Sequence, residues 1–187
     1  PEDIAEVYYN RALNYIMQER YADAEHDLLI SMKVIEKLHL NSLRVCNLSK
    51  LYALLALAGI SRKDRFTCER YLLSCRQFLN YIVEKEKKNN NEEIIHDYAQ
   101  CDDDMFLYTF AQALLNQYDG NFEGAYDNFE KAEHFLAQAE GNEFFSYRIF
   151  RQARMNLFRQ TGRTQLYERE EELLRQHEEM CSEMESS

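Results

Sequence analysis

The sequence predicts an all-α fold, and three observations carry that prediction. Residue types in the stretch from Tyr8 to Ser31 recur about a hundred positions later, where Tyr21, Ala24 and Leu28 become Phe122, Ala125 and Phe129. Ala12 to Ala113 and Ala24 to Ala125 are both steps of 101 residues, close to three periods of a ~34-residue helix-turn-helix repeat. One Pro and five Gly leave few helix breaks, and no run of alternating β-branched residues argues for a sheet.

The elements follow in order. In the first unit Ala12 and Ala24 are small residues that let two helices approach, and Tyr8, Tyr15 and Tyr21 are the large partners on their inner faces. A second unit has an apolar helix around Leu51 to Ile60, a turn at Ser61 to Asp64 and a helix from about Arg65 to Lys87. The third opens with Asp102-Asp103-Asp104, acids that suit a helix N-terminus ahead of the apolar run Met105 to Leu115. Gly120 then turns the chain into a helix carrying Ala125 and Phe129. The fourth runs from Asn142 to Gln160, turns at Thr161-Gly162, and ends in a helix beginning near Thr164. Asn41-Ser42 and Asn89 to Asn91 supply further turn and cap signals.

These spacings resemble the tetratricopeptide repeat. Tyr8, Arg11, Ala12, Tyr15, Ala24 and Leu28 stand at its motif positions in one copy, and Thr109, Gln112, Ala113, Asn116, Ala125 and Phe129 in another. Both copies lack the closing Pro, and the Leu-Gly positions have drifted. Gly120 to Gly162 spans 42 residues, so the helices run longer than the consensus. The resemblance implies a right-handed array of about four antiparallel helical hairpins, an α-solenoid, as a single domain over residues 1–187. A start at Pro1 and a charged helical end suggest a piece of a longer protein.

The formal charge is −11, and residues 164–187 hold eight Glu against two Arg. An acidic chain without a basic stripe repels phosphate backbones, so no direct nucleic-acid binding is expected. No run approaches the ~18 apolar residues of a membrane span, and no leader is visible, so the chain reads as soluble. Five cysteines (Cys46, Cys68, Cys75, Cys101 and Cys181) form no Cys-x-x-Cys pair and read as packed thiols. They favour a reduced cytoplasm, with an extracytoplasmic sensor domain of a membrane protein as the alternative.

Enzymatic and metal signals are weak. Glu36-x-x-His39 and Glu93-x-x-His96 match the pair of motifs that ligates di-iron centres in helical bundles. They sit at a helix end and a helix start, where such ligands need mid-helix, inward-facing positions. Asp102 to Asp104 lacks the alternating spacing of a calcium loop. No phosphate loop or nucleophile elbow appears. No catalytic residue, metal site or cofactor is expected, and a helical-bundle metalloprotein is the remaining alternative from another class.

In the repeat family the other face of the first helices lines a concave groove. Projected from the spacing, it carries Tyr9, Leu13 and Ile16, then Phe110, Leu114 and Gln117, then Gln152, Asn156 and Arg159. Apolar residues early and hydrogen-bonding ones late suit a peptide with an apolar segment and a polar or carboxylate end. Burial of the apolar members against neighbouring helices is the competing expectation. The carboxylate clamp of chaperone-binding relatives needs Lys and Asn where this chain has Tyr9 and Leu13, which argues against a co-chaperone. The last helix carries Leu166-Tyr167, Leu173-Leu174 and Met180-Cys181, apolar pairs seven residues apart. They fit a helix that caps the array or a seam for a homodimer. The expected function is therefore non-catalytic: a protein- or peptide-binding module, resembling the sensory tetratricopeptide-like domains of bacterial regulators, or else a stand-alone scaffold.

Overall fold

The structure, a computed structural model, describes residues 2–37, 42–88, 102–138 and 144–187. Among these residues there are eight helices and no strand, as the all-α reading expects: α1 (Glu2–Met17), α2 (Tyr21–Ile35), α3 (Ser42–Ser61), α4 (Arg65–Lys88), α5 (Asp102–Tyr118), α6 (Phe122–Gln138), α7 (Phe144–Gln160) and α8 (Thr164–Ser186). Helix α3 starts well before the expected Leu51, at the Asn41-Ser42 signal. The triple Asp opens α5, where Asp104 is buried.

Four turns of one geometry join α1 to α2, α3 to α4, α5 to α6 and α7 to α8. In each, a residue with positive φ follows the first helix: Glu19 at 57°, Lys63 at 65°, Gly120 at 76° and Gly162 at 70°. Its N–H bonds back three residues, and the next N–H bonds back five, as in Arg20 to the Tyr15 carbonyl and Asp64 to the Gly59 carbonyl. Asn121 to Asn116 and Arg163 to Phe158 complete the set. This double bond satisfies carbonyls that a helix end leaves orphaned, and its left-handed residue is normally glycine. The chain thus uses the same helix stop four times, with glycine at two of them. Side-chain caps differ: Asp64 accepts from the Thr67 N–H and hydroxyl, at 3.1 and 2.6 Å, and Asn121 accepts from the Gly124 N–H at 3.1 Å.

A non-glycine residue in the left-handed region costs roughly 1 kcal/mol. Glu19→Gly is therefore expected to hold or raise the urea midpoint, and Gly162→Ala to lose about 1 kcal/mol. Equal losses from both would contradict this account of the turns.

The turns fix a common register. Four residues past Arg20, Asp64 and Asn121 stand Ala24, Cys68 and Ala125, all fully buried, and seven residues before Glu19, Lys63 and Gly120 stand Ala12, Ala56 and Ala113, also fully buried. Small side chains there let each helix settle against its pair mate, and the two helices of every pair do touch. At Gly59 the approach is close, since a Cβ there would lie 3.1 Å from the Cys68 amide nitrogen and 3.0 Å from Thr67.

By its contacts the chain divides into two compact units, residues 1–140 and 141–187. In the first unit α3 touches α2, α4 and α5. Every residue from Ala53 to Ile60 is buried, which is the signature of an interior helix rather than one edge of an open surface. Ion pairs tie the turns to neighbouring pairs: Arg62 bonds Glu25 of α2, and Arg65 of α4 grips Asp119 at 2.7 and 3.0 Å. The second unit is the α7–α8 pair alone.

Asp27 is the buried charge of the first pair. It is 1% exposed and accepts two hydrogen bonds from Arg11, at 2.6 and 2.9 Å. Those bonds hold its carboxyl below the usual range, against the opposing effect of burial. A carboxyl with a depressed folded-state pKa contributes stability above the unfolded value, roughly 4, and loses it as pH falls through the lower, folded value. Thermal melts from pH 5 downward should show a steeper loss of stability in the wild type than in Asp27→Asn. Parallel curves would remove Asp27 from the acid response.

Candidate functional site

The turn register aligns the residues expected to face a ligand. Tyr9, Ala53, Phe110 and Gln152 are equivalent, as are Leu13, Leu57, Leu114 and Asn156, and Ile16, Ile60, Gln117 and Arg159. Their environments differ sharply. Tyr9, Leu13, Leu114 and Gln117 are half-buried, whereas Ile16 and Phe110 are fully enclosed. Phe110 is corrected from a ligand-facing residue to core: its ring lies 6.0 Å from that of Phe129 and 5.8 Å from that of Phe106, and it is 1% exposed. Helix α3 closes the same face of its own pair, since Ala53, Leu57 and Ile60 are all buried. Among the described residues, the buried Ala53, Leu57 and Ile60 of α3 interrupt any open groove across the first helices of this unit. Of the apolar candidates, Ile16 and Phe110 belong to the core, and Tyr9, Leu13 and Leu114 keep part of their surface exposed.

Gln152, Asn156 and Arg159 of α7 are all exposed. They stand at i, i+4 and i+7, so they share one face of the helix. Arg148, one turn earlier, is exposed on the same face, and Arg163, in the turn after α7, is exposed as well. Arg148 was not among the sequence candidates, although a signal existed: residues 144–160 hold four Arg and no acid in a chain of net charge −11.

The opposite side of α7 explains how this face is held. Phe150, Leu157 and Phe158 are buried, and so is Arg151, at 4% exposure. Arg151 donates to a Glu170 oxygen of α8 at 2.9 Å, and Arg154 lies 3.2 Å from the other oxygen. Glu170 is itself 3% exposed. The Arg151 guanidinium also lies 4.8 Å from the Tyr147 ring centre, and Tyr147 stacks on His177 at 4.1 Å. One buried carboxylate shared by two guanidinium groups locks α8 behind α7. Arg159 donates to the Tyr167 hydroxyl at 2.9 Å, which steadies the exposed end of the line.

The exposed line offers side-chain amides and guanidinium groups on a rigid helix, groups that pair with carboxylates and with backbone amides. It offers no nucleophile beside a base. Among the described residues no group of three His, Cys, Asp or Glu could hold a metal ion. Of the Glu-x-x-His motifs, Glu36 is exposed just after α2, while His39, Glu93 and His96 lie outside the described residues. Cys68 and Cys75 are buried free thiols, and burial pushes both up to about 12, so they stay protonated at neutral pH. Cys101 and the Cys46 side chain lie outside the described set. No described helix is long and apolar enough to cross a membrane.

No family model, curated protein or solved structure matches this chain.

Proposed function

We propose that the protein is a non-catalytic interaction module, built as a tetratricopeptide-like array, whose α7 face takes an acidic peptide segment. The observation that carries this reading is the asymmetry of α7: four Arg and no acid, two of the Arg held inward by Glu170, the other two turned out beside Gln152 and Asn156. Guanidinium groups at the ends of such a line would pair with carboxylates, and the amides between them with a peptide backbone. The four turns of shared backbone geometry, and the buried small residues at the first three, support the repeat architecture, which in the resembling family serves protein recognition. Within that family the sensory domains of bacterial regulators remain the most specific comparison, and a stand-alone scaffold the other.

A peptide suits this face better than a phosphate backbone. Residues 141–163 hold five Arg and one Glu, but residues 164–187 return eight Glu and two Arg, a net of −2 for the unit. A local basic line on an acidic body recognises short segments without attracting a polyanion over distance.

Selection from a displayed library of random peptides tests the reading. The wild type should enrich acid-rich sequences, captured less well as salt rises. Asn156→Ala with Arg159→Ala should reduce capture about tenfold while leaving helicity unchanged. Equal capture by the variant would place recognition elsewhere.

A further inference from the structure

The turn register exposes a second unusual surface, on α4. Two residues past Arg20, Asp64, Asn121 and Arg163 stand Ala22, Phe66, Glu123 and Gln165, all exposed. Nine residues past them stand Leu29, Leu73, Glu130 and Glu172, of which only Leu29 is half-buried. Helix α4 alone thus carries large apolar side chains at both outward positions, and Phe66 is 75% exposed and Leu73 49%. Arg70 stands between them on the same line, with Gln77 one turn further on, both exposed; Lys63 is exposed in the preceding turn. Residues 62–76 hold five basic and two acidic residues; Arg62 and Arg65 are engaged by Glu25 and Asp119, which leaves Lys63, Arg70 and Arg76 as the basic groups beside the apolar line.

An apolar line with basic flanks fits an acidic amphipathic helix. Pairing of α4 with α4 of another copy would set Arg70 against Arg70, which like-charge repulsion opposes. The chain itself offers the complementary element. On α8 the positions Leu166, Glu170, Leu173 and His177 follow alternating steps of four and three, and the same rhythm continues to Met180 and Met184. The first four are buried or half-buried, while Met180 and Met184 are 59% and 76% exposed, with Glu178, Glu179, Glu183 and Glu185 around them.

We propose that the protein self-associates, the Met180–Met184 end of α8 in one copy docking on the Phe66–Arg70–Leu73 line of α4 in a second copy. Each copy carries both faces, and a reciprocal pair of contacts makes a dimer. Among the described side chains of the α7 line, Arg148, Gln152, Asn156 and Arg159, none is apolar, which makes it the poorer receptor for the methionines. The proposal is independent of the peptide site.

Light scattering on the full chain tests it, together with two charge reversals. The wild type should show a mass twice 22.4 kDa, falling toward the monomer as salt is raised. Arg70→Glu and Glu183→Arg should each weaken association about tenfold or more. Mixed in equal amounts, the two variants should recover it, because one contact is then charge-swapped and the other native. Circular dichroism checks that both remain folded. A monomeric wild type at ~100 μM, a dimer indifferent to both reversals, or no recovery on mixing would each overturn the proposal.

Discussion

Glu170→Ala is expected to cost about 3–5 kcal/mol, a large share of the 5–15 kcal/mol that stabilises a typical domain. The substitution removes the one carboxylate that Arg151 and Arg154 share, and leaves the 4% exposed Arg151 charge buried without it. The cost comes from stranding the cations rather than from the intrinsic worth of the ion pair. Replacing all three together, by Arg151→Met, Arg154→Leu and Glu170→Leu, should therefore recover much of the loss. Urea unfolding followed by circular dichroism checks both. A Glu170→Ala loss below about 0.5 kcal/mol would mean that the network is solvated and that α8 is held by its leucines alone.

Phe110→Ala is expected to cost about 3–5 kcal/mol as well, through lost burial and the cavity left between Phe106 and Phe129. The same substitution separates two roles for the residue. A groove-lining Phe110 would leave the unfolding midpoint nearly unchanged and lower peptide capture. A core Phe110 moves the midpoint, and Phe110→Leu, which refills most of the volume, should restore part of it. An unchanged midpoint would return Phe110 to the ligand face.

Much of the fold was legible in local signals. The turns at Ser61 to Asp64, Gly120 and Thr161-Gly162 lie where the structure ends and restarts helices, because capping and turn chemistry is set by neighbours in sequence. The 101-residue step between Ala12 and Ala113 also separates the left-handed residues Glu19 and Gly120, so pattern and backbone give one register. What failed was non-local. Phe110 and Tyr9 occupy equivalent helix positions, and periodicity cannot tell a face that meets solvent from one that meets another helix. Helix α3 shows the same limit, since nothing in Ala53, Leu57 or Ile60 themselves reveals how many neighbours enclose them.

The site was half legible for a similar reason. Gln152, Asn156 and Arg159 were reachable from register, and all three are exposed. Glu170 was not distinguished from the acidic residues around it, because a charged residue in a Glu-rich helix reads as solvated. Its place in the alternating four-and-three rhythm with Leu166, Leu173 and His177 was the available signal, and a charge inside an apolar rhythm points to a buried partner. Arg148 was missed by following repeat positions one at a time rather than counting the charge of the whole helix.

The central claim is that the outward face of α7 receives an acidic peptide segment, and site-specific photo-crosslinking in the source cells tests it most directly. A benzophenone amino acid placed at Asn156 should trap a discrete partner, and the adduct should be lost when Arg159→Ala is added. The same label at Asp127, exposed on α6, serves as the control. Adducts at Asp127 but none at Asn156, or an Asn156 adduct indifferent to Arg159→Ala, would contradict the account.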